Sequence, residues 1–142
     1  MVAPFVAFAA ASGDGLVLRL GFLATCLLIP AYGLRLPPLA TLAHYLATIA
    51  AMVGLFAAAS HPLVFPVAAA AVAITTIWVT RFGARLRKLG AFFFIPALYL
   101  ACELHETPAG PAELTRLVVL SPIALAAVLA VEALRRRLGG DA

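Results

Sequence analysis

Residues 63–104 read LVFPVAAAAVAITTIWVTRFGARLRKLGAFFFIPALYLACEL: an apolar run, a basic connection from Arg81 to Lys88, and a second apolar run. The first run, 63–80, carries no charged side chain. As a helix rising about 1.5 Å per residue it reaches about 27 Å, close to the roughly 30 Å hydrocarbon core of a bilayer. The second, 89–104, is shorter and is bracketed by Lys88 and Glu103. Between them sit Arg81, Arg85, Arg87 and Lys88, the kind of short basic loop that fixes the orientation of a membrane protein.

The rest of the chain has the same character. Of its 142 residues, 65% are hydrophobic and 11% charged, with a mean hydropathy of +1.10. A soluble domain is about 45–50% apolar and about 25% charged. This composition excludes a soluble enzyme, a disordered tail and a disulfide scaffold. Upstream, 16–34 and 39–59 are long enough to span, and downstream so is 112–134. The expected fold is therefore all-α: a polytopic transmembrane helix bundle forming a single domain over 1–142, with spans at 16–34, 39–59, 63–80, 89–104 and 112–134. The apolar segment at 2–11 reaches about 15 Å as a helix, half a bilayer. It reads as a re-entrant half-span ending at Ser12-Gly13-Asp14-Gly15, with a cleaved signal or a truncated span as the alternatives.

The charges alternate with the spans. Arg35, the four positives of 81–88 and Arg135-Arg136-Arg137 account for eight of the ten Lys and Arg, and all fall on one side. Cytoplasmic loops are the basic ones. The C-terminus and the 81–88 loop are thus expected inside, in a multi-pass protein of the cell inner (plasma) membrane, with Asp14 and the Glu103-to-Glu113 connection facing out. The net charge of +4 is explained by these loops, and no nucleic-acid partner is expected.

Within the spans, a few polar residues stand out. His44, beside Tyr45, lies about one and a half turns into its span; it is either a proton carrier or a neutral imidazole satisfied by a carbonyl. Arg19 either snorkels to the headgroups or offers a cation to an anionic substrate. Ala50, Gly54 and Ala58 form a small-xxx-small ladder suited to close helix packing. Pro96 and Pro122 sit deep enough to remove internal hydrogen bonds and bend their helices. Cys26 and Cys102 read as buried thiols, and Glu103, His105 and Glu106 as a solvated outer loop rather than metal ligands. No nucleophile-base pair, phosphate loop or metal motif is present, so neither enzymatic activity nor a cofactor is expected.

The run from His61 to Leu104 carries a resemblance. A His61-Pro62-Leu63 turn opens an apolar span, an Arg-rich turn follows from Arg81 to Lys88, and an aromatic-rich span runs from Phe92 to Leu104. In this it resembles the membrane half of the fusaric acid resistance and aromatic acid exporter family, and the stretch from Glu113 to Arg137 looks like that family's last helix. The similarity covers the chain from His61 onward, and the first part only loosely. It implies a small transporter, or transporter half, exporting aromatic or other organic acids under the proton gradient. Members of that family are longer, with two membrane halves and soluble regions, so the resemblance also implies a homo-oligomer or a second membrane subunit. On this reading a small organic anion would meet Arg19, with His44 and Tyr45 along its path. The alternative is a non-transporting subunit or scaffold packed against a larger partner, to which the small size and the ladder point. The one partner common to both is the lipid bilayer.

Overall fold

The computed structural model describes residues 15–139 together with Ala11 and Gly13; the segment at 2–11, read above as a half-span, otherwise lies outside the described residues. Five α-helices follow one another: α1 Gly15–Gly33, α2 Pro38–Ala59, α3 Val64–Val79, α4 Ala84–Glu106 and α5 Gly110–Gly139. No strand occurs among the described residues. Each helix, with α3 extended through Phe82, is long and apolar enough to cross a membrane.

The helix ends have local causes. Pro37 is extended at φ −64°, ψ 154°, and Pro38 takes the first helical position of α2, where a missing N–H costs nothing. At the end of α1 the Leu36 N–H donates to the Ala31 carbonyl and the Arg35 N–H to that of Tyr32. This is the double bond of a Schellman cap, with Arg35 at φ +50° in the left-handed position usually taken by glycine. Past Val79, a 3-10 turn at Thr80–Phe82 and the single extended residue Gly83 reverse the chain into α4.

Two expected boundaries move. The run read as a loop over 81–88 is mostly helical, because α4 starts at Ala84 and carries Arg85, Arg87 and Lys88 on its first turns. Likewise α5 continues past residue 134 to Gly139. Apolar length measures the part of a helix that lipid covers, whereas Arg, Lys and Leu all favour continuing the backbone hydrogen bonds beyond it. For the same reason Glu103, His105 and Glu106 lie on the last turns of α4 rather than in a loop.

α4 is the central element and packs against all four others; its longest interface is with α2. The core comprises Leu23 and Leu27 of α1, Met52 and Leu55 of α2, Leu100 and Leu104 of α4, and Leu117 of α5. α3 sits at the periphery on α2 and α4 and buries none of its residues. A methyl at Gly90 of α4 would stand 3.1 Å from the Thr76 side chain and 3.2 Å from that of Thr80, so glycine there admits α3 closely. At Gly110 a Cβ would collide with the Leu104 carbonyl, which makes glycine the residue that closes the α4–α5 connection.

The outside of the bundle is as apolar as the inside. Leu39, Leu63, Val67, Ile74, Ile123 and Val131 are each more than half exposed. A soluble monomer does not present so continuous an apolar surface, whereas a bilayer solvates it. The threonines conform to that solvent: Thr25, Thr48, Thr75 and Thr76 each donate their hydroxyl to the carbonyl four residues earlier. The architecture is that of an integral membrane protein.

Cross-bundle contacts fix which helix ends lie together. Arg19 near the start of α1 meets Glu103 at the end of α4 and Glu113 at the start of α5. Phe56 near the end of α2 lies edge-on to His105, ring centres 6.2 Å apart. The opposite end therefore gathers the end of α1, the start of α2, the end of α3, the start of α4 and the end of α5. Arg35, Arg81, Arg85, Arg87 and Lys88 belong to that end, where Trp78 and Phe82 pack edge to face at 5.1 Å.

Candidate functional site

A groove of about 450 Å³ runs along the junction of α1 and α4. Its walls are Leu18, Phe22, Ile95, Tyr99 and Leu100, with Gly15, Gly21 and Thr25 leaving room on the α1 side. Phe22 and Tyr99 face each other edge on, with ring centres 5.3 Å apart and planes at 63°. Leu18, Ile95 and Tyr99 are about half exposed, so the groove opens sideways onto the lipid-facing surface. Among the described residues, its charged lining consists of Arg19 and Glu103.

These two form an ion pair. Arg19 Nε donates to Glu103 Oε1 at 3.2 Å, one turn into α1 and one turn before the end of α4. Arg19 Nη1 also stands 3.7 Å from Glu113 Oε2. That distance is within ionic attraction but too long for a hydrogen bond, and Glu113 Oε2 is a buried atom without a hydrogen-bond partner among the described residues. Glu113 Oε1 in turn takes a 3.5 Å contact from Arg116 Nη1. The result is a row, Glu103–Arg19–Glu113–Arg116, with equal numbers of cations and anions. Arg19 is the best shielded of the four, its side chain 16% exposed against 35% for Glu103. The sequence points to Arg19 as a cation within the membrane; that it belongs to two carboxylates could not be read from it, because they lie on helices far away in the chain.

His44 and Tyr45 are elsewhere. Both are buried in α2, and neither lines the groove. Each faces the break that a proline makes in a neighbouring helix. Pro122 has no N–H, so the Val118 carbonyl loses its helical partner. Ser121 Oγ donates to that carbonyl at 3.0 Å, and the Tyr45 hydroxyl, 2.6 Å from Ser121 Oγ, donates to it in turn. Pro96 frees the Phe92 carbonyl in the same way, and His44 is the side chain of α2 beside it. The two imidazole nitrogens are buried and make no hydrogen bond within the described residues, so this neighbour is near without completing a bond. Arg19 is thus the one member of the expected path that reaches the groove.

The small-residue ladder divides. Ala58 is buried, but Ala50 and Gly54 are exposed, and a methyl at Gly54 would meet nothing. Inside the chain, close approach is provided by Gly90 instead. Cys26 and Cys102 are free thiols, half-buried rather than fully buried. Among the described residues no group of three His, Cys, Asp or Glu side chains is placed to hold a metal.

Searches against protein-family models, characterised proteins and solved structures return no match to this chain.

Proposed function

We propose that this membrane protein is a small transporter, or the half of one, that lets aromatic or other organic acids leave the cell. The observation that carries the reading is the α1–α4 groove, whose aromatic and aliphatic walls end at a shielded arginine. Its chemistry suits a ring or short hydrocarbon bearing one carboxylate: the apolar part lies against the Phe22–Tyr99 pair and the anion reaches Arg19. The sideways opening gives such a ligand access from lipid. The resemblance of residues 61–104 to aromatic acid exporters points the same way, and the basic end of the bundle would then be cytoplasmic. The described residues form one such groove, open on its side, so a homo-oligomer or a second membrane subunit would complete the path.

The test is efflux. Cells carrying the gene should release preloaded aromatic carboxylates faster than cells lacking it, and Arg19→Gln should abolish the difference. Equal release across a panel of aromatic and aliphatic acids would remove this function.

A second reading, a scaffold packed against a larger membrane partner, draws on α3 and the open Ala50–Gly54 face. Purification would separate the two readings. Recovery only as a complex with another protein, without acid efflux, would favour the scaffold.

A further inference from the structure

We propose that an acid entering the groove takes the place of Glu103 on Arg19, and that Glu103 leaves the ion pair as a neutral carboxylic acid, so that acid anion and proton bind together. This rests on the function proposed above and adds its coupling.

The geometry supplies the reasons. Among the described residues Arg19 makes one hydrogen bond, to Glu103, and Glu103 lines the same groove. A carboxylate lying along the walls therefore arrives where the Glu103 carboxylate already is. Glu103 is the more exposed partner, at 35% against 16%, so it is the one free to turn away. Arg19 is drawn to stay behind, because Glu113 attracts its other side from 3.7 Å.

Charge then decides the protonation state. The row of Glu103, Arg19, Glu113 and Arg116 is balanced when empty. A bound anion makes three carboxylates around two guanidinium groups, with two of them competing for Arg19. Like charges at such range favour protonating one of them. Among the described residues, the other groups at this end supply no Lys or Arg to cancel the excess. α4 adds Glu106 and His105, α2 brings Phe56 against His105 with His61 in the turn behind it, and α3 begins with the uncharged Val64. The step balances simply: Glu103 carboxylate takes one proton from water, its hydrogen bond to Arg19 breaks, and the ligand carboxylate forms a bond in its place.

The consequence is co-transport. Acid and proton move in the same direction as an electroneutral pair, down the combined gradient of anion and proton. Exit against an inward proton gradient then needs a larger outward gradient of the acid, whereas the family resemblance implies export driven by the proton gradient.

The experiment is calorimetric titration of the purified full-length chain in detergent with benzoate, at pH 6, 7 and 8 and in two buffers of different ionisation enthalpy. Wild type should bind more weakly as pH rises, by up to about tenfold per unit, with up to one proton taken up per benzoate. Glu103→Gln, which keeps size and shape, should bind with no pH dependence. Glu113→Gln should keep the slope. A flat wild-type profile with binding intact overturns the coupling and leaves the proposed function standing. A slope retained in Glu103→Gln also overturns it, since the proton would then travel on the ligand or another group. If Glu103→Gln does not fold, the buffer comparison on wild type decides alone. Absence of benzoate binding at every pH removes the groove as an acid site, and this proposal with it.

Discussion

Tyr45→Phe deletes one hydroxyl from the middle of the bundle, and its surroundings set the cost. That hydroxyl donates to Ser121 Oγ at 2.6 Å, and Ser121 Oγ donates to the Val118 carbonyl left open by Pro122. Side-chain hydrogen bonds between membrane helices average about 0.6 kcal/mol and reach about 1.7. A short bond between residues 8% and 3% exposed belongs in the upper half of that range. Tyr45→Phe should therefore destabilise the fold by about 1 kcal/mol, since Ser121 keeps its bond to Val118. Ser121→Ala strands both the Tyr45 hydroxyl and the Val118 carbonyl, and should cost about 2–3 kcal/mol. Pro122→Ala returns an N–H to that carbonyl, so in its background Ser121→Ala should cost about 1 kcal/mol less. The assay is reversible unfolding in mixed micelles, run as double-mutant cycles. Additivity of Tyr45→Phe and Ser121→Ala within about 0.3 kcal/mol would refute the repair of the proline break. So would an equal cost of Ser121→Ala with and without Pro122.

Other substitutions probe the backbone and the groove. Arg35→Gly should raise stability by about 1 kcal/mol in the same assay, because it relieves the left-handed conformation at the end of α1. Gly110→Ala should lower it by about 1–3 kcal/mol through collision with the Leu104 carbonyl. Gly54→Ala should raise it by about 0.5–1 kcal/mol, as the position is open and helical; a loss of self-association in crosslinking would identify that face as a seam between copies. Tyr99→Ala should weaken benzoate binding while leaving its pH slope unchanged, read by the calorimetric titration.

Hydropathy made the spans legible because a bilayer imposes length and polarity together. The readings 16–34 and 39–59 fall within a residue of α1 and α2 at each end. Charged flanks were less legible: Arg85, Arg87 and Lys88 are hydrophilic and helical at once, so α4 starts before its apolar run does. The site was legible only in part. Arg19 is conspicuous in an apolar span, but its partners Glu103 and Glu113 arrive through tertiary packing alone. Tyr45 and His44 stand out for the same reason, whereas their relation to Ser121 and to the Phe92 carbonyl depends on how α2 turns toward the breaks at Pro122 and Pro96. The ladder of Ala50 and Gly54 shows the limit of spacing rules, since small residues mark a face that can pack without saying which one does.

The central claim is that α4 crosses the membrane, with its basic start and acidic end on opposite faces. With Cys26 and Cys102 replaced by alanine, single cysteines at Ala84 and Ala109 can be probed by a membrane-impermeant maleimide on intact and permeabilised cells. The cysteine at Ala109 should label in intact cells, and the one at Ala84 only after permeabilisation. Equal labelling of both sites in intact cells, or recovery of the chain in the soluble fraction, would contradict the account.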